Sequence, residues 1–128
     1  MSITVRKAGK KDIQAIIALL HQVDMVHHVI RPDLFKPNTR HAFCMVTEVK
    51  DDKLLQNIKT LYIDDICVDE KARGQHVGTA LYEFVRDYAK SKGCHHITLN
   101  VWEGNDPALS FYRNMGMKVQ KTTMEIIL

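Results

Sequence analysis

Paired cysteine motifs, unbroken apolar runs of membrane-spanning length and the common nucleotide-binding signatures are all missing from this 128-residue chain. Its cysteines, Cys44, Cys67 and Cys94, form no Cys-x-x-Cys pair, and an odd number excludes a fully paired framework. A reducing cytoplasm is therefore the expected compartment. No unbroken apolar run approaches membrane-spanning length, and MSITVRKAGKK lacks the apolar core of a signal peptide, so no membrane attachment is expected. The net charge of +3 is too small for the dense basic face that nucleic-acid binding requires. Internal repeats, low-complexity segments and flexible linkers are also lacking, which leaves one domain, 1–128, long enough to bury its own core. The pairs His27-His28 and His95-His96 suggest metal at first sight. Adjacent residues do not easily bind one ion from one face, and no third ligand stands at a recognised spacing, so no metal is expected.

What charge there is lies unevenly. Residues 1–40 carry 7 Lys/Arg against 3 Asp/Glu, and residues 41–70 carry 3 against 7. The acidic block is either solvated surface or a wall that attracts a cationic substrate.

Periodicity gives the elements. Ile3 to Lys7 alternates like a short strand. Ile13, Ile16, Ile17 and Leu20 share one helical face, and Arg31-Pro32-Asp33 ends that helix. Ala42 to Val49 and Leu61 to Val68 read as strands separated by the Asp51-Asp52 turn. Val77, Ala80, Leu81, Phe84, Val85, Tyr88 and Ala89 follow helical spacing up to Gly93. Ile97 to Trp102 is the next strand. Asp106 and Pro107 open a short helix, and Val119 to Leu128 supplies one or two closing strands. Strand, helix and strand from Leu61 to Trp102 form a βαβ unit within a mixed α/β sheet.

Between the strand at Leu61–Val68 and the following helix lies VDEKARGQHVGTAL. A helix start exposes unpaired N–H groups at the positive end of its dipole. Glycines admit close backbone approach, and an arginine fork suits phosphate. Arg73, Gly74, Gln75 and Gly78 at this point read either as a pyrophosphate cradle or as a plain capping loop. No Gly-Lys-Ser/Thr ends the loop, and its glycines lack the dinucleotide spacing, so neither common phosphate-loop class applies.

VDEKARGQHVGTAL resembles the acyl-CoA-binding motif of the GNAT superfamily of N-acetyltransferases, Arg/Gln-x-x-Gly-x-Gly/Ala at a helix start. NDPALSFYRNMGM resembles that family's second signature, Asn-x-x-Ala-x-x-Phe-Tyr-x-x-x-Gly-Phe, and the two occur in the family's order. The resemblance is strong from Leu61 to about Val119 and weaker from Ile3 to His28. The implied fold is α/β: a mixed, mostly antiparallel sheet with a central parallel βαβ unit, flanked by helices. Two departures stand out. His76 occupies the place of the first motif glycine, where its N–H can still serve while its ring can crowd a phosphate. Only residues 36–41 separate RPDLF from AFCMV, so a strand of the usual sheet is expected to be missing there. An exposed edge at that point invites a homodimer, with strand exchange as one form.

The resemblance implies acetyl transfer from acetyl-CoA to a primary amine, on a small molecule or a peptide, by direct attack. It implies that Arg73, Gly74, Gln75, His76, Val77, Gly78 and Thr79 hold the pyrophosphate. Ile66, Cys67 and Val68 offer backbone to the pantetheine arm, and Asn105 and Ala108 contact the cofactor. Asp64 matches a carboxylate some relatives carry and would serve as base, with Asp65 or a water as the alternative. Tyr112 matches the family's usual acid, which protonates the departing thiolate. A CoA-binding module without efficient catalysis is the competing expectation.

Overall fold

The computed structural model describes residues 3–34, 45–49, 57–64 and 66–128. In chain order it contains α1 (Ile13–Ile30), β1 (Met45–Val49), β2 (Ile58–Ile63), α2 (Val77–Ser91), β3 (His96–Leu99) and α3 (Asp106–Asn114). Single 3-10 turns lie at Lys10–Asp12 and Glu70–Ala72.

Among the described residues the sheet has the order β1-β2-β3. β1 runs antiparallel to β2, from Met45↔Tyr62 to Val49↔Ile58. β2 runs parallel to β3, from Thr60↔His96 to Ile63↔Leu99. The βαβ unit is thus present, in a mixed sheet, as its periodicity predicts. Residues 36–41, the place of the expected missing strand, and Asp65 lie outside the described residues.

The strand boundaries differ from expectation. β2 begins at Ile58 and ends at Ile63 rather than spanning Leu61–Val68, and β3 ends at Leu99 rather than Trp102. A strand is defined by its partner: the antiparallel ladder runs out at Met45↔Tyr62 and the parallel one at Ile63↔Leu99. Residues 3–9 form no strand. Arg6 instead grips Asp12 through two hydrogen bonds of 2.8 Å, and Asp12 also accepts from the Gly9 N–H at 2.8 Å. The Arg6 hydrogen bonds, then that of Gly9, hold the Asp12 carboxyl well below the usual carboxylate range. Nor do residues 119–128 form the expected closing strands; they are exposed throughout.

Leu61 and Ile63 alternate onto one face of β2 and meet Tyr82 and Ala89 of α2, which together form the buried core. On α2 the inward face therefore runs through Tyr82, Val85 and Ala89, with Phe84 and Tyr88 exposed by 45% and 42%. The spacing alone centres that face wrongly, because apolar residues cover much of the helix circumference. In α1, Ile13 and Ile16 are exposed whereas Ile17 and Leu20 are half-buried. Lys10–Ile30 also has the length and apolarity of a membrane-crossing helix. A search for unbroken apolar runs misses it, because His21, Gln22, Asp24, His27 and His28 interrupt the segment. A core helix of a soluble protein passes the same test when mostly buried, whereas none of this window is buried.

Candidate cofactor-binding and active site

Three segments that the sequence singles out meet at the start of α2. The first is the chain leaving β2. Past Ile63 and Leu99 the parallel ladder stops, and Ile66, Cys67 and Val68 continue half-buried outside any strand. Cys67, expected in a buried strand, is half-buried and directs its Sγ to the Leu19 carbonyl of α1 at 3.4 Å. Asp64 is exposed at the end of β2.

The second segment is the loop. Asp69 caps the 3-10 turn Glu70–Ala72 by accepting from the Lys71 N–H at 2.9 Å. Arg73 then folds back, and its Nε donates to the Val68 carbonyl at 3.2 Å. The guanidinium is thereby tied to the chain end leaving the sheet, while Arg73, Gly74, Gln75 and His76 remain exposed. His76 is the N-cap of α2 and makes no side-chain capping bond. The first intrahelical bond of α2 runs from the Ala80 N–H to the His76 carbonyl, at 3.0 Å. The N–H groups of Val77, Gly78 and Thr79 thus have no acceptor within the helix. A bare helix start with three amides directed outward is the arrangement that binds anions.

The third segment is α3. Its N-cap is Asn105, one residue before the expected Asp106, and Asn105 Oδ1 accepts from the Ala108 N–H at 3.4 Å. This bond fixes Asn105 and Ala108 at the head of the helix. Phe111 and Tyr112 pack together at 5.2 Å between centroids, and Tyr82 lies 6.5 and 6.4 Å from them. Gly78 joins the three segments. A methyl group added there would stand 3.4 Å from the Phe111 ring and 3.6 Å from Val68 Cγ2. Both are ordinary van der Waals distances, so the position admits a methyl group and little more.

His76 is left-handed, with φ 61° and ψ 19°. Among the described residues it alone combines positive φ with a side chain. That conformation costs roughly 1–2 kcal/mol in a non-glycine residue. His76→Gly is therefore expected to gain about 1 kcal/mol after glycine's entropic cost, raising Tm by about 2–4 °C. His76→Ala retains the strain and should not rise in a thermal melt. Because the backbone amides stay in place, anion affinity at this helix start should stay within about twofold in His76→Gly.

A different corner was not visible in the sequence. Arg31, read only as part of a helix stop, donates to Asp33 at 2.9 and 2.7 Å and pairs with Glu125. Its guanidinium carbon also lies 5.6 Å from the Trp102 ring centroid. These partners are far apart in the chain, so no local pattern announces the cluster. The hydrogen bonds to Asp33 and then Glu125 raise the Arg31 pKa above its already high ordinary value.

A bare helix start, a parallel ladder that ends beside it and an aromatic short helix closing the side define an α/β fold with an anion-binding helix start. Residues 34–117 match the acetyltransferase (GNAT) family, and the chain belongs to it. Glucosamine 6-phosphate N-acetyltransferase of Arabidopsis thaliana is 33% identical over 97 residues, 66% of this chain and 63% of that enzyme. The chain thus spans less than two-thirds of that relative. Thialysine N-epsilon-acetyltransferase of Mus musculus is 25% identical over 143 residues, 90% of this chain and 84% of that one. Among solved structures, the BH1408 protein of Bacillus halodurans, crystallised as a mutant, superposes with a TM-score of 0.90 at 28% identity. That superposition covers 98% of this chain and 99% of the other.

Proposed function

We propose that this chain transfers the acetyl group of acetyl-CoA to a primary amine by direct attack of the amine on the thioester carbonyl. The observation that carries the reading is the convergence at Gly78, where the uncapped α2 start lies next to Val68 of the segment leaving β2 and Phe111 of α3. In this reading the amides of Val77, Gly78 and Thr79 and the guanidinium of Arg73 bind the pyrophosphate, with Gly74, Gln75 and His76 shaping the loop. Backbone of Ile66, Cys67 and Val68 accepts the pantetheine arm as an added strand. An N–H from the same segment stabilises the oxyanion as the C–N bond forms. Asn105 and Ala108 border the arm from α3. Asp64 removes the proton from the attacking nitrogen, directly or through water, and Asp65 is the alternative base. Tyr112 gives its phenolic proton to sulfur as the C–S bond breaks.

The acceptor in this proposal is a small cationic amine. Two observations support it: the relatives carry names of small-molecule amines, and residues 41–70 hold an acidic surplus. The test is release of free CoA thiol from acetyl-CoA with pooled small amines and, separately, pooled lysine peptides. Thiol release that depends on the small-amine pool supports the reading. Stabilisation by CoA without release from either pool favours a binding module instead.

A further inference from the structure

α1 bridges the two chain segments that leave the parallel pair. Its Leu19 carbonyl meets the Cys67 Sγ at 3.4 Å, in the segment after β2. Near its other end, Ile30 Cγ2 stands 3.7 Å from where a side chain at Gly104 would begin, in the segment after β3. Arg31 then lies over Trp102 of that same segment. From Leu19 to Ile30 the helix runs about 16 Å. Leu19, Val23, Val26 and Ile30 recur every three or four residues and so form one stripe. Leu19, Val23 and Ile30 are half-buried, yet Val26 is 41% exposed. The helix therefore rests on both strand exits and is open to solvent between them.

Gln22 lies in that interval, one turn after Leu19. Its Oε1 is shut off from solvent and has no hydrogen-bond partner. Among the described residues no other side-chain oxygen or nitrogen is in this state. A buried carbonyl without a donor costs stability, because it loses water and gains no hydrogen bond in return. An apolar side chain of the same length would avoid that cost. A donor that arrives from outside the chain accounts for a glutamine here. A carbonyl oxygen only accepts, so the partner must carry the proton. The Cys67 segment beside Leu19 is the one that receives the carrier arm in the acetyl-transfer reading.

We infer that the Gln22 side-chain carbonyl accepts an N–H from the acceptor's amine, where α1 passes the end of the carrier arm. The inference rests on the acetyl-transfer reading and adds a residue to it. Gln22 binds and orients the amine and takes no proton from it. With one amine hydrogen on Gln22, the nitrogen keeps its lone pair for the thioester carbonyl and its second hydrogen for the base. The unmet carbonyl of the empty protein is then a stability cost that the arriving amine relieves.

Fold and function should respond to Gln22→Met with opposite signs. The change removes the unmet carbonyl, so Tm should rise by about 4 °C. It should also raise KM for the amine about tenfold, with the Kd for CoA within about twofold. A second readout needs no turnover. The Gln22 side-chain amide signal, identified in nitrogen–proton spectra by its loss in Gln22→Met, should shift when n-butylamine is added with CoA present. Butyltrimethylammonium, which has the charge without an N–H, should leave it in place. If the methionine variant does not fold, Gln22→Glu identifies the signal equally well. An unchanged KM in Gln22→Met beside an active wild type overturns this inference and leaves acetyl transfer standing. So does a lowered Tm, the mark of a carbonyl already satisfied by the fold or by water. If the wild type releases no thiol, acetyl transfer fails and the amide signal decides: a shift with n-butylamine supports the Gln22 contact, and none refutes it.

Discussion

Arg73→Glu is expected to weaken acetyl-CoA binding about 100-fold while the protein remains folded. Arg73 is exposed on the loop before α2, and its one described fold contact is the Nε bond to the Val68 carbonyl. A hydrogen bond to a charged group is worth about 1.5–3 kcal/mol, and about 1.4 kcal/mol corresponds to a tenfold change in Kd. Losing the guanidinium and placing a carboxylate beside the pyrophosphate together account for two such factors. Titration calorimetry with CoA is the measurement. Arg73→Lys should fall between wild type and Arg73→Glu, since it keeps the charge and loses the fork. Wild-type affinity should also decline with added salt. Unchanged binding by Arg73→Glu would remove the loop from the cofactor site.

Tyr112→Phe is expected to reduce kcat about 100-fold, the lower end for loss of a general acid, with the Kd for acetyl-CoA within about twofold. The ring would remain beside Phe111 and Tyr82, so ring packing is preserved while the phenolic hydroxyl is lost. Steady-state thiol release read beside calorimetry separates the two quantities. An equal loss in kcat and affinity would indicate a binding or structural role for Tyr112 instead. The deficit should also shrink with acyl donors whose thiol leaves more readily, since these need less help from an acid.

The parts of this molecule that were legible in the sequence are those fixed by local chemistry. The amphipathic period of α2, its stop at Gly93 (φ 68°) and the aromatic pair on α3 all follow from neighbours within a few turns. The loop from Arg73 to Thr79 was readable as a helix entry because its glycines are local signals of a turn, Gly74 having φ 76°. Strand limits were not, since Ile58 and Ile63 end β2 only by virtue of their partners on β1 and β3. The burial of Tyr82 instead of Phe84 likewise depends on where the sheet lies, not on the helix alone. The Arg31 corner needed Trp102 and Glu125 brought together by the fold. Val119–Leu128 misled because β propensity describes a willingness to pair, and among the described residues no strand stands beside that segment.

The end of the parallel ladder at Ile63 and Leu99 has a consequence for how readily such a protein can change its task. That end is a property of main-chain pairing, so no single side chain sets it. On the proposed reading, residues beside it can therefore vary in size and polarity, altering which amine is admitted, while the main-chain groups that receive the carrier arm persist. Acceptor choice should then drift faster than carrier choice, and exchanging marginal residues between relatives should transfer the first without the second.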